Sequence, residues 1–103
     1  MTERQHAPVT PNNSIVTGTV IRTRETKIRG EPCSFWLLRI ERAEDVPGLL
    51  NFARSYEGRT TLALTWPEFQ PDISEQDGTI SGSMQYRAQN GRRGVFVLRK
   101  REE

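Results

Sequence analysis

Arginines and aromatic residues recur together along this chain and are the side chains best suited to hold a ligand. Guanidinium and ammonium groups pair with phosphates, and flat rings stack on bases, each stacked base contributing about 1–3 kcal/mol. The candidates for such a surface are Arg22, Arg24, Lys27, Arg29, Phe35, Arg39, Trp66, Tyr86, Arg87, Arg92 and Arg93. This combination of residue types favours binding of single-stranded nucleic acid.

The aromatic residues among these candidates have a competing role in the core. Trp36 alternates with Leu38 and Ile40, which predicts that it is buried, and Phe96 is expected in the core as well. Phe35 lies on the other side of that strand and is open to either base stacking or packing. The same alternatives hold for Tyr86, while Trp66 ends its strand and could instead cap the hydrophobic core.

Catalytic chemistry has little support in the sequence. The chain has one histidine, His6, and one cysteine, Cys33. A Ser-His-Asp or Cys-His arrangement needs histidine on the folded domain, and His6 falls in a segment without a strand pattern. One cysteine and one histidine also cannot supply a structural zinc site. We therefore expect no enzyme activity and no cofactor, with Cys33 as a small core residue.

A magnesium-dependent nuclease is a third alternative, based on the acidic stretch before the fourth strand. Its carboxylates are Glu68, Asp72, Glu75 and Asp77. Hard-metal sites need carboxylates that converge from several elements, whereas these four follow one another in one connector. The pattern favours a solvated acidic loop and no metal site.

Charge is segregated along the chain although the net charge is only +2. Residues 14–42 carry six basic side chains against three acidic ones, residues 43–77 carry two against seven, and residues 78–101 carry six and no acidic one. If the two basic segments lie side by side in the fold, they form a positive face that attracts phosphates.

Five strands are predicted to position these residues, at 14–28, 33–42, 59–66, 79–87 and 93–100. Gly18 marks a sharp bend in the first strand. Residues 29–32 form a turn in which Pro32 stops strand pairing, and Asn90-Gly91 predicts a tight hairpin. Residues 43–58 form a short helix or a structured loop, and the 68–77 connector has Phe69 and Ile73 as apolar anchors, with one helical turn around Ile73.

The strand order predicts a mainly all-β domain: a five-stranded, OB-fold-like Greek-key barrel with one short helix or helical turn. An SH3-like barrel is the main alternative. We expect a flexible N-terminal tail at 1–13 and the barrel at 14–101. The N-terminus lacks the apolar core of a secretory signal, no apolar run is long enough to span a membrane, and one cysteine fits a reducing compartment, so a cytoplasmic location is expected.

Parts of this sequence resemble a known family. The stretch Val16-Thr-Gly-Thr-Val-Ile-Arg-Thr-Arg-Glu-Thr-Lys27, followed by Phe35-Trp-Leu-Leu-Arg-Ile-Glu41, resembles the first two strands of bacterial single-strand DNA-binding proteins and the related primosomal replication proteins. Leu62-Ala-Leu-Thr-Trp66 and Asp77-Gly-Thr-Ile-Ser-Gly-Ser-Met84 look like their third strand and the turn into their fourth strand.

The resemblance implies a protein that binds single-stranded nucleic acid, with DNA favoured over RNA as its ligand. Members of the family form dimers or tetramers, and we expect a homodimer. By position it assigns DNA contacts to Phe35, Trp66, Arg24, Lys27 and Arg39. The 43–58 segment departs from the family, which has a variable hairpin there. The alternative function is therefore a protein–protein interaction module or assembly subunit that docks its partner through Phe35, Leu37 and the 43–58 segment.

Overall fold

The computed structural model describes residues 11–89 and 92–101, without the side chains of Gln89, Arg92 and Arg93. The five strands are β1 (Ser14–Ile28), β2 (Glu31–Asp45), β3 (Thr60–Thr65), β4 (Thr79–Gln89) and β5 (Arg92–Lys100). Two short 3-10 helices cover Phe52–Tyr56 and Pro67–Phe69. The prediction of an all-β domain is confirmed. None of the helices in the described part of the chain is long and apolar enough to cross a membrane.

The strands form a closed barrel in the order β1-β2-β3-β5-β4. The β3–β5 pair is parallel and the other pairs are antiparallel. Paired residues can be followed around the barrel from Arg24 on β1 through Phe35, Leu64 and Val97 to Gln85. Met84, the neighbour of Gln85, pairs with β1 at Ser14, far from Arg24. The strands are therefore strongly staggered, as closure of a small barrel requires.

β1 serves both sides of the barrel because its pairing is irregular at Gly18. The β1–β2 register shifts between Thr17 and Gly18, and a Cβ at Gly18 would lie 2.7 Å from the carbonyl oxygen of Arg39. Only glycine allows this close approach. A second register shift, between Val20 and Arg22, leaves Ile21 without a paired residue on β2. Beyond the pair of Glu25 and Ser34, where β2 is no longer paired with β3, β1 and β2 continue as a two-stranded ribbon.

The turn of this ribbon is shorter than the sequence predicted. It consists of Arg29 and Gly30, both with positive φ (52° and 81°), and β2 begins at Glu31. The expectation that Pro32 stops pairing is wrong, since Pro32 lies opposite Lys27 within the ribbon. Residues flanking a two-residue turn exchange hydrogen bonds, so the next pair does not. The missing N–H of Pro32 therefore faces away from β1.

The core is formed by alternate residues that point into the barrel. It consists of Val16, Trp36, Leu38, Ile40, Ala43, Ala53, Ala63, Ile80, Met84, Phe96 and Leu98. Trp36 is only 3% exposed and Phe96 is buried, as their alternation predicted, and the free thiol of Cys33 is buried too. On β3 the residue opposite Trp36 is Ala63, so a small side chain faces the largest one in the core.

The segment between β2 and β3 contains no α-helix. β2 extends to Asp45, and a single 3-10 helix follows at Phe52–Tyr56. The helical turn of the later connector lies at Pro67–Phe69, so the expected turn around Ile73 is wrong. Ile73 is also exposed, whereas Pro71 is buried. Proline at the start of a helical turn is favoured because its φ is already suitable and its absent N–H is not needed there.

Residues 11–13, which the sequence assigned to the tail, contact the barrel. The side-chain amide of Asn12 bonds both backbone groups of Tyr86, accepting from its N–H at 2.7 Å and donating to its carbonyl at 3.1 Å. Asn13 donates its backbone N–H to the carbonyl of Leu50. The expected tail residues 1–10 and the Asn90-Gly91 turn lie outside the described residues.

Candidate nucleic-acid interface

The outer surface of β1, β2 and β3 brings predicted site residues together. Partners across antiparallel strands lie on the same face, and Trp36 and Leu38 point inward. Phe35 and Leu37 alternate with them and therefore point outward. The residues in register with these two are Arg24 and Arg22 on β1 and Leu64 and Leu62 on β3, of which Leu64 is buried. We call this surface the outer face; it comprises Arg22, Arg24, Phe35, Leu37, Arg39, Leu62 and Trp66.

Two rings of the outer face lie close together, Phe35 on β2 and Trp66 directly after the end of β3. Phe35 is opposite Leu64, and Trp66 follows two residues later in extended conformation, so it continues the alternation of β3. The two rings are thus diagonal neighbours, a spacing that large side chains can bridge. Both are half-buried, which leaves part of each ring accessible. The Trp66 ring centroid is 5.7 Å from that of Phe69.

Apolar side chains lie exposed farther along the same three strands. Leu62 is 53% exposed and pairs with the half-buried Leu37, and Ile21, in the β1 register shift, is 52% exposed. Sequence reasoning did not include Leu62 in the site. The feature that could have indicated it is the neighbouring Ala63. A small residue fits opposite Trp36 inside the barrel, and alternation then places Leu62 on the outside.

The cations of the outer face differ in their surroundings. Arg22 and Arg24 are exposed, and neither forms an ion pair with a described residue. The Nε of Arg39 lies 3.7 Å from the Oε2 of Glu41, which also accepts a hydrogen bond from Thr19 Oγ1. Exposed ion pairs of this kind are weak, so Arg39 remains able to exchange Glu41 for a phosphate.

Lys27 and Arg29 lie farther out on the β1–β2 ribbon. Both are exposed, and Lys27 lies on the opposite side of the strand from Arg24 by alternation. Arg29 occupies the turn itself. The structure therefore places these two cations at the end of the ribbon rather than beside Phe35.

Tyr86 and Arg87 lie apart from the outer face. The Tyr86 ring packs against Phe96 and Phe52, with centroid distances of 5.3 and 6.0 Å, and its hydroxyl accepts a hydrogen bond from the N–H of Gly94. Arg87 is exposed on β4 and donates to Gln85. The side chains of Arg92 and Arg93 lie outside the described residues.

The two basic segments leave the β1–β4 ladder at opposite ends. β1 and β4 pair only between Ser14 and Thr19 on β1, with Ser14 opposite Met84 and Thr19 opposite Thr79. Arg22 and Arg24 lie beyond the Thr19 end, and Arg87 lies beyond the Ser14 end. The two segments therefore adjoin along this ladder, but Arg22 and Arg24 lie far from Arg87 rather than beside it.

Arg99 is a residue that the sequence reasoning left out of the site. Its guanidinium carbon lies 4.5 Å from the ring centroid of Phe69, which in turn contacts Trp66. β3 and β5 are parallel with Leu64 beside Val97, so Trp66 and Arg99 lie at the same level two residues farther on. Arg99 belongs to the basic segment 78–101, but only the parallel register of β3 and β5 places it next to Trp66.

The acidic connector forms a local turn around Asp77. The Asp77 carboxylate accepts hydrogen bonds from the hydroxyl and the N–H of Thr79, at 2.8 and 3.1 Å. These bonds, led by the hydroxyl bond, lower the pKa of Asp77 below its ordinary value of 3.8. Within residues 11–89 and 92–101, no group of three or more His, Cys, Asp or Glu side chains could hold a metal ion.

Comparison of the chain with protein-family models, with curated proteins and with solved structures finds no match.

Proposed function

We propose that this barrel is an OB-fold that binds single-stranded DNA on its outer face. The OB-fold is a five-stranded Greek-key barrel whose second and third strands, with the loops flanking them, form the usual ligand surface. The strand order β1-β2-β3-β5-β4 and the single parallel β3–β5 pair support this assignment.

One observation carries the proposed function: two partly accessible rings, on β2 and directly after β3, lie near cations that form no ion pair with a described residue. Phe35 and Trp66 supply flat surfaces for bases, while Arg22 and Arg24 supply charge for the phosphates. Base faces are hidden in a duplex and accessible in a single strand, so a surface of rings selects single strands. Leu37 and Leu62 add apolar contacts of the kind that suits the thymine methyl group, which supports DNA over RNA.

The expected affinity depends strongly on salt. Each phosphate contact on a single strand contributes about −0.7 to the slope of log affinity against log salt concentration. Three contacts, from Arg22, Arg24 and Arg39, predict a slope of about −2. Such a small number of contacts gives modest affinity that is clearest at low ionic strength.

The test is fluorescence anisotropy with a labelled oligothymidine at several salt concentrations. We expect binding by the wild-type protein, and a slope shallower by about 1.4 in the double variant Arg22→Ala/Arg24→Ala. The matched control is Arg42→Ala/Arg54→Ala, which removes two exposed arginines paired with Glu44 and Asp45. Absence of wild-type binding at low salt, or equal effects of the two double variants, would refute the proposal.

A protein-docking module is the second candidate function. Leu50 and Phe52 of the 43–58 segment are 48% and 37% exposed, and such apolar exposure is a feature of interaction surfaces. The same experiment distinguishes the two candidate functions. A protein that only docks through this segment does not bind oligothymidine, and its docking does not require Arg22 and Arg24.

A further inference from the structure

A concave cavity of about 300 Å³ lies on the solvent side of β1, β4 and β5. It is separate from the outer face, which β1, β2 and β3 form. Its lining includes Ile15, Ser83, Gln85, Arg99, Lys100 and Arg101. Three consecutive basic residues thus border the same concavity as Ser83 and Gln85, and none of the described residues that line it is acidic. This is the chemistry of a site for phosphate oxygens.

Arg99 connects this cavity to the outer face. It lines the cavity, and its guanidinium group also stacks on Phe69, whose ring contacts Trp66. Trp66, Phe69 and Arg99 therefore form a series of planar groups in contact, and Phe35 on β2 is the diagonal neighbour of Trp66 at one end of it. Planar guanidinium groups stack on bases as rings do, so the series can support successive nucleotides.

We propose that the cavity holds the phosphate backbone of the same DNA strand after the strand has crossed Trp66 and Phe69. The inference rests on the proposed function and extends it by giving the strand a path around the barrel. Lys100 and Arg101 pair with the phosphates, and Ser83 donates its hydroxyl to a phosphate oxygen. Short oligonucleotides fill the outer face alone, and longer ones reach the cavity. Site sizes for OB-folds span about 4–16 nucleotides, which accommodates both cases.

The experiment compares the variant Lys100→Gln/Arg101→Gln with the wild-type protein on oligothymidines of about 5 and about 15 nucleotides. Both residues are exposed, so the substitutions should leave the fold intact, which thermal unfolding checks. We expect the affinity for the long oligonucleotide to fall roughly 25-fold at 0.1 M salt, with a slope shallower by about 1.4, and the affinity for the short one to stay unchanged. The control Arg42→Gln/Arg54→Gln removes the same charge elsewhere.

A second measurement follows the amide resonance of Ser83 by NMR. It should shift with the long oligonucleotide and not with the short one. Unchanged binding of the long oligonucleotide, or equal losses on both lengths, would overturn this inference while leaving the proposed function in place. If the wild-type protein binds neither oligonucleotide, both proposals fail.

Discussion

Trp36 and Trp66 show how strand position decides what an aromatic residue can do. Trp36 points into the barrel and is almost completely buried, whereas Trp66 follows β3 on the outside and is half-buried. Tyr56 and Tyr86 pack edge-to-face against the buried ring of Phe96. Phe35 and Trp66 are the outward-facing rings beside Arg22 and Arg24. The role of each ring thus follows from its contacts.

Removing the flat surfaces of these two rings should weaken DNA binding. Phe35→Leu and Trp66→Leu retain apolar volume but lose the stacking surface, and each should cost about 1–3 kcal/mol of binding free energy. Anisotropy with a labelled oligothymidine measures this loss. Phe52→Leu, at a half-exposed ring beside Tyr86, is the control and should bind as the wild type does. Unchanged affinity in both test variants would exclude the outer face as the DNA surface.

Asp77 gives a pH dependence that can be assigned to one residue. Its pKa is lowered because Thr79 donates hydrogen bonds to the charged carboxylate. A lowered folded-state pKa means that the stabilisation is present above pH 3.8, the ordinary value, and is lost as the pH falls through the folded-state pKa. NMR titration of the carboxyl carbon should give a midpoint below 3.8. In Thr79→Val the midpoint should move back toward the ordinary value, and a wild-type midpoint at or above it would contradict the assignment.

The 3-10 helix at Phe52–Tyr56 joins the ends of β1 and β2 through Asn51. The side-chain oxygen Oδ1 of Asn51 accepts from the Ser14 hydroxyl at 2.5 Å and from the Arg54 N–H at 3.0 Å. Its amide donates to the carbonyl of Ala43 at 2.9 Å and to Asp45 at 3.0 Å. Glu57 accepts from the N–H of Ala43 at 2.7 Å. This polar network fastens the segment to the barrel without an α-helix.

Asn51→Ala should therefore destabilise the whole domain. It leaves the buried hydroxyl of Ser14 without the Asn51 acceptor and removes the helix cap, which predicts a loss of about 1–3 kcal/mol in the free energy of unfolding. Urea denaturation measures the change. Ser55→Ala, in the same helix, removes an exposed hydroxyl bonded to the carbonyl of Phe52 and should have a smaller effect. Equal midpoints for the two variants would show that the Asn51 network contributes little.

Across the whole molecule, barrel closure decides which surfaces adjoin. The stagger of the strands carries the row that begins at Arg24 across β2, β3 and β5 to Gln85 on β4. The parallel β3–β5 pair brings Arg99 beside Trp66, and the cavity with Lys100 and Arg101 follows directly. The proposed DNA path uses these contacts between strands that are distant in sequence.

Local pattern was sufficient for the strands and for most of the core. The alternation of Trp36 with Leu38 and Ile40, and of Ile80 with Met84, follows from the two-residue period of a strand, which depends only on backbone geometry. β1 has the predicted bounds. The glycine predicted to mark its bend, Gly18, lies where the backbone of β2 approaches too closely for any side chain.

The tertiary structure alone decided the register between strands and the composition of the site. Register depends on where bulges occur, and the shift between Val20 and Arg22 changes which β1 side chains face outward beside Leu37. The parallel pairing of β3 with β5 joins residues separated by a long stretch of chain, and no local pattern encodes it. Sequence therefore determined which side chains of β2 and β4 alternate into the barrel. Bulge positions and closure determined which outward side chains are neighbours, because neighbours across strands are set by pairing over the whole barrel.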